Sequence, residues 1–201
     1  FIRDSNTVLI RDYRLSHILK VLNPSIGQSL KVGLVGGKCG YGIVEFIDSH
    51  VVRLMVVLNE SAPSRHNFDI VLALPRPKML RRILRTIAEY GVENLHLVNS
   101  ARVEKSYWQS PLLHPDKIHD ALMAGMERSK DTVMTNVQLH KRFRPFIEDQ
   151  LSHLCATRNC WITDMSAAKS AVELDIASTP AVVLIGPEGG FVPFEVELAT
   201  S

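Results

Sequence analysis

The stretch Ala181-Val182-Val183-Leu184-Ile185-Gly186-Pro187-Glu188-Gly189-Gly190-Phe191 decides how the rest of the chain is read. Its first five residues are apolar and mostly β-branched, which predicts a short buried strand. The run breaks at once into Gly-Pro-Glu-Gly-Gly. Glycines there permit backbone angles closed to other residues and let a ligand approach the main chain. Pro187 fixes one φ angle and removes one donor, which stiffens the loop. Phe194-Glu195-Val196-Glu197-Leu198-Ala199 then opens a helix, with acids where the macrodipole favours them. Two readings fit this strand, loop and helix start: a ligand-binding loop, or a tight turn that binds nothing.

Upstream, the pattern alternates. Strands are predicted over residues 68–74, 95–98, 135–139 and 160–163, with 181–185 the fifth. Helices are predicted over 77–90, 114–130 and 143–154. In the first helix, Met79, Leu80, Ile83, Leu84, Ile87 and Ala88 form the expected buried stripe. Pro77 suits its first turn and Gly91 its end. Strands alternating with helices predict a parallel α/β sheet, with ligands beyond the carboxyl ends of the strands, where residues 186–190 lie.

Residues 1–65 read differently. A strand at 7–10 and a helix at 13–22 precede three strand-like runs, 30–35, 41–47 and 51–58, separated by Gly36-Gly37 and Asp48-Ser49-His50. Short antiparallel strands with tight turns predict a small β-barrel or sandwich. Ser61-Ala62-Pro63-Ser64-Arg65 has the composition of a linker, so the expected domains are 1–65 and 66–201.

With 201 residues, 46% of them hydrophobic, the chain is long enough for a substantial core. The net charge of +2 excludes a strongly polyelectrolyte protein, so the placement of the cations matters more than their number. Three scattered cysteines without a Cys-x-x-Cys pair predict reduced thiols in a cytosolic protein. No apolar run approaches the roughly 20 residues that span a bilayer. The histidines are dispersed, so no metal site is expected. Dinucleotide and P-loop glycine patterns and the Gly-x-Ser-x-Gly elbow are also missing.

Arg76, Lys78, Arg81, Arg82 and Arg85 follow the first α/β strand. Arg81 and Arg85 share a helix face, as do Lys78 and Arg82. Such a stripe either tracks phosphates or is simply solvated. Arg102, Lys105, Tyr107 and Trp108 mix cations with aromatics: a loop that stacks an exposed base, or one packed on the surface.

The motif Leu184-Ile185-Gly186-Pro187-Glu188-Gly189-Gly190-Phe191, followed by Glu195, resembles the signature of the ribosomal RNA small subunit methyltransferase E family. Leu15-Ser16-His17-Ile18-Leu19-Lys20-Val21-Leu22 is similar to that family's PUA-like β-domain, and residues 72–113 look like a distinct branch of it. The resemblance covers nearly the whole chain. It implies an α/β trefoil-knot methyltransferase domain of the SPOUT class preceded by a small PUA-like barrel, in a cytoplasmic homodimer. The implied cofactor is S-adenosylmethionine, and the implied reaction is in-line methyl transfer to N3 of a uridine in 16S rRNA. Leu184, Ile185, Gly186, Pro187, Glu188, Gly189 and Gly190 would hold the cofactor, together with Thr163 and Asp164. The RNA would cross Arg76, Lys78, Arg81, Arg82, Arg102 and Lys105. No catalytic base is assigned; Glu188 could accept a proton, and ordering the loop is the favoured role.

Two departures stand out. Glu127-Arg128-Ser129-Lys130 lacks the glutamine many members have, and the family's last strand and cofactor-covering loop do not follow Ala199. The expectation is that a knot-closing segment is omitted after Ser201; without it, cofactor binding would be weak or absent. The rival readings are a non-catalytic RNA-binding protein on the same fold, another SPOUT methyltransferase specificity, or an α/β enzyme using the glycine loop as an anion nest.

Overall fold

A computed structural model describes residues 6–167, 169–173 and 179–200. The chain divides into two units. The smaller comprises the described residues up to Pro63 together with Lys130–Val133. Strand β1 (Thr7–Ile10) leads to helix α1 (Tyr13–His17), capped by the Asp12 carboxylate and continued by a π-helical turn, Ile18–Leu22. Strands β2 (Ser29–Gly33), β3 (Cys39–Ile47) and β4 (Val52–Glu60) complete an antiparallel sheet in the order β1-β4-β3-β2. Alternation along β3 and β4 sends Val44, Val52, Leu54 and Val56 to one face, where they bury against Ile10 and Ile18. Residues 130–133, which the sequence places in the following domain, belong here. Thr132 Oγ1 donates to the Gly37 carbonyl (2.7 Å), and the Gly36 N–H donates to the Thr132 carbonyl (2.7 Å).

The larger unit carries a five-stranded parallel sheet in the order β7-β6-β5-β9-β8. Its elements are β5 (Phe68–Ala73), α2 (Pro77–Glu89), β6 (Asn94–Val98), α3 (Pro115–Ser129) and β7 (Asn136–His140). A broken helix follows, and then β8 (Asn159–Ile162), β9 (Ala181–Ile185) and, after the glycine loop, α6 (Pro193–Thr200). Residues Val71, Leu95, Leu97, Val182 and Leu184 are fully buried, as a parallel sheet covered on both faces requires. Each such side chain contributes roughly 1.5–3 kcal/mol by leaving water.

Two details depart from the sequence expectation, and a third adds to it. Met79 is 38% exposed, because α2 buries Leu80, Leu84, Ile87 and Ala88, and residue 79 lies about 100° around the helix from Leu80. The third helix is interrupted: α4 (Phe143–Phe146) and α5 (Ser152–Cys155) flank a π-helical turn, Ile147–Leu151. Gly125 lets α3 approach α2 closely, since a Cβ there would sit 2.3 Å from the Arg85 carbonyl oxygen.

Strand order sets the functional end. The chain builds outward from β5 through β6 to β7, crosses to the far edge at β8, and returns to place β9 beside β5. The connections leaving β5 and β9 thus flank a topological switch point, where open parallel sheets characteristically bind ligands. The opposite end is stapled. Asp69 on β5 is buried, pairs with Arg158 at 2.6 Å and accepts from Asn94 Nδ2 at 2.9 Å. Removing one partner of such a pair strands a buried charge, at about 3–5 kcal/mol.

Candidate functional site

The glycine loop leaves β9 and turns back on itself. The Gly190 N–H donates to the Pro187 carbonyl at 2.7 Å, closing a four-residue turn. Gly190 has φ of 74°, a conformation that side chains disfavour, and a Cβ on Gly186 would lie 3.1 Å from the Phe191 ring. Phe191 anchors the loop: it is 5% exposed and packs against Phe143, with ring centroids 5.6 Å apart. Turn geometry therefore accounts for Gly186 and Gly190 before any ligand is considered.

The segment after β8 forms the adjoining wall. Thr163 donates to the Leu184 carbonyl through both its N–H (2.9 Å) and its Oγ1 (3.1 Å), tying this turn to the end of β9. Asp164 is held low by hydrogen bonds from the Ser166 hydroxyl and then the Ser166 N–H, so its carboxylate is committed within its own turn. Leu184 is buried and Ile185 half-buried.

Two of the arginines read as RNA contacts have other partners. Arg76, just past β5, pairs with Glu188 at 2.6 Å across the switch point; both side chains are 62% exposed. This pairing favours the ordering role for Glu188. Arg102, past β6, donates to the Gly189 carbonyl and, at 3.4 Å, to the Gly190 carbonyl. Lys78, Arg81, Arg82, Arg85 and Lys105 are exposed and form no ion pair among the described residues. Tyr107 and Trp108 do not stand free for stacking. Both are half-buried against the core: Trp108 Nε1 donates to Asn99 Oδ1 (2.9 Å) and the Tyr107 hydroxyl to Glu104 (3.1 Å). Loss of hydration and then Glu104 raise the Tyr107 hydroxyl's pKa, so it stays a neutral donor.

One buried residue entered the sequence reading as a first-turn acid and a signature position, without a structural role. Glu195 is 4% exposed. Its carboxylate accepts from the Val192 N–H (3.1 Å), half of a capping box for α6, and from the Ala101 N–H (2.7 Å) on the loop after β6. The signal available was a glutamate three residues beyond Val192; its reach to residue 101 was not visible locally. Among the described residues no group of three or more His, Cys, Asp and Glu side chains could hold a metal ion.

Loops from β5, β6, β8 and β9 thus converge at one end of the sheet. Residues 62–201 match the family model for the RNA methyltransferase domain. The chain belongs to that family. Over 189 residues, 92% of this chain and 71% of the relative, it is 29% identical to the ribosomal RNA small subunit methyltransferase E of Treponema pallidum (strain Nichols). Its fold is shared by a probable rRNA methyltransferase of Porphyromonas gingivalis (TM-score 0.70, 21% identity, covering 99% of this chain and 82% of that one). It is also shared by a ribosomal RNA small subunit methyltransferase E of Neisseria gonorrhoeae, solved bound to S-adenosylmethionine (TM-score 0.72, 17% identity, covering 96% and 79%).

Proposed function

We propose that this protein is an S-adenosylmethionine-dependent methyltransferase acting on N3 of a uridine in 16S rRNA of the small ribosomal subunit. Family membership supports methyl transfer to RNA, and the Treponema relative's name supports the small-subunit substrate. The observation that carries the reading is the glycine loop at the β5/β9 switch point, walled by Thr163 and faced by two arginines.

The donor set fits the cofactor. The Glu188 and Gly189 N–H groups have no hydrogen-bond partner among the described residues, and both residues are exposed. Such main-chain donors suit the carboxylate and ring acceptors of a small polar ligand. Residues 184–190 with Thr163 and Asp164 would hold it. When bound, S-adenosylmethionine supplies an electrophilic methyl group on a sulfonium centre.

The chain's own residues bind, orient and neutralise. Uracil N3 is protonated near neutral pH, so the site must favour the anion whose charge spreads over O2 and O4. Arg76 is the cation placed to stabilise such charge once it exchanges Glu188 for substrate. Orientation of the base against the cofactor supplies a further share of the rate. Until that exchange, Glu188 orders the loop through its pair with Arg76. Lys78, Arg81, Arg82 and Lys105 provide the phosphate-tracking surface, and the small antiparallel unit acts as the PUA-like RNA holder. A knotted, homodimeric, cytoplasmic enzyme completes the proposal. Among the described residues no helix is long and apolar enough to cross a membrane.

Incubation with methyl-labelled cofactor and small subunits tests this. Label should enter 16S rRNA and produce a reverse-transcription stop at one uridine. Label confined to another RNA, or to another base, would overturn the assignment.

A further inference from the structure

The loops after β6 and β9 hold each other, although β5 lies between their strands. From one side, Arg102 reaches over the glycine loop to the carbonyls of Gly189 and Gly190. From the other, Glu195 reaches back to the Ala101 N–H and, at 3.4 Å, accepts from the Ser100 hydroxyl. The cation of one loop and the carboxylate behind the other thus bind main-chain groups in opposite directions. The peptide unit between Gly189 and Gly190 is gripped at both ends, its oxygen by Arg102 and its N–H by the Pro187 carbonyl. A planar peptide held at both ends cannot rotate. Gly189 belongs to the same device: a Cβ there would meet the Arg102 side chain at 3.2 Å.

A segment with three glycines in five residues has much conformational freedom to lose when it binds a ligand. Restraining it beforehand lowers that cost. Arginine suits the task, because the planar guanidinium fixes the direction of Nη1, the one nitrogen that reaches both carbonyl oxygens, whereas a lysine ammonium is a freely rotating point charge.

We propose that Arg102 and Glu195 form a reciprocal clasp that fixes the glycine loop in its cofactor-binding shape, making Arg102 a positioning residue for the cofactor rather than an RNA contact. The inference rests on the reading of the loop as the S-adenosylmethionine site, and its test separates the two. Arg102→Ala, Arg102→Lys and Glu195→Gln are compared with the wild type by three measurements. These are amide hydrogen exchange across residues 188–192 without cofactor, calorimetric titration with S-adenosylmethionine, and affinity for a 16S-derived RNA fragment at fixed salt.

Arg102→Ala should speed exchange in that segment and weaken cofactor affinity about tenfold, the loss expected of a charge-assisted hydrogen bond. Arg102→Lys should fall between it and the wild type, and Glu195→Gln should also speed exchange. RNA affinity should stay within about twofold, since a single phosphate contact would cost more than that. Unchanged exchange and cofactor affinity in Arg102→Ala, or lost RNA affinity with cofactor binding intact, would overturn the clasp. A wild type that fails to bind the cofactor would sink the functional reading instead, and the exchange data would still decide whether the clasp exists.

Discussion

Glu188 shows how a single side chain divides competing mechanisms. Its carboxylate is 2.6 Å from Arg76, yet both groups are largely in water, so the pair stabilises the fold by less than about 1 kcal/mol. Glu188→Gln should leave the thermal midpoint nearly unchanged. Its effect on methyl transfer should be small, because the residue only orders an already clasped loop. A general base in its place would cost about 10²–10⁴-fold on the same substitution, so steady-state rates distinguish the two roles. The sequence showed Glu188 and Arg76 as charges, in a glycine loop and a basic run respectively. Their pairing spans 112 positions (188 − 76) and leaves no local trace. Arg102 is a parallel case: a cation near aromatics leaves a base-stacking loop and a packed surface loop both open, and its carbonyl partners, distant in sequence, leave no local trace either.

The strands and helices themselves were largely legible, because burial in a parallel sheet and on helix faces writes a period into the sequence. What stayed hidden arises from contacts between distant elements. The π-helical turn at Ile147–Leu151 is one case, and the membership of Lys130–Val133 in the small unit is another. A third is the pair formed by His96 on β6 and His140 at the end of β7, whose rings stack with Nδ1 and Nε2 3.1 Å apart against Phe146. Burial and then His96 push His140 down to about 4, and burial also lowers His96. The folded protein therefore binds fewer protons than the unfolded chain between about pH 4 and the ordinary histidine value near 6.5. Stability from this pair is fully present above that upper value and is lost as the pH falls through the window. Thermal midpoints measured down the window should decline less steeply for His140→Gln than for the wild type. Parallel curves would show that the pair is not held neutral.

For the molecule as a whole, the parallel sheet gathers its loops at one end and staples the other with the Asp69–Arg158 pair. Cofactor chemistry is assigned to the loop end. The basic face of α2, opposite the buried row of Leu80, Leu84 and Ile87, is the exposed cation track that follows directly from β5. The opening glycine stretch was ambiguous by itself, and the structure explains why: Gly190 takes a left-handed φ in the turn, and a Cβ on Gly186 or Gly189 would crowd Phe191 or the Arg102 side chain. Sequence alone could not separate those demands from a ligand's, because all of them select the same small residue. Everything at the loop end depends on this loop binding S-adenosylmethionine. Calorimetric titration of the protein with that cofactor tests it most directly. Saturable binding of about one cofactor per site, lost when Gly190→Val blocks the left-handed φ, is the predicted result. No heat at any attainable concentration, from protein shown to be folded, would contradict it.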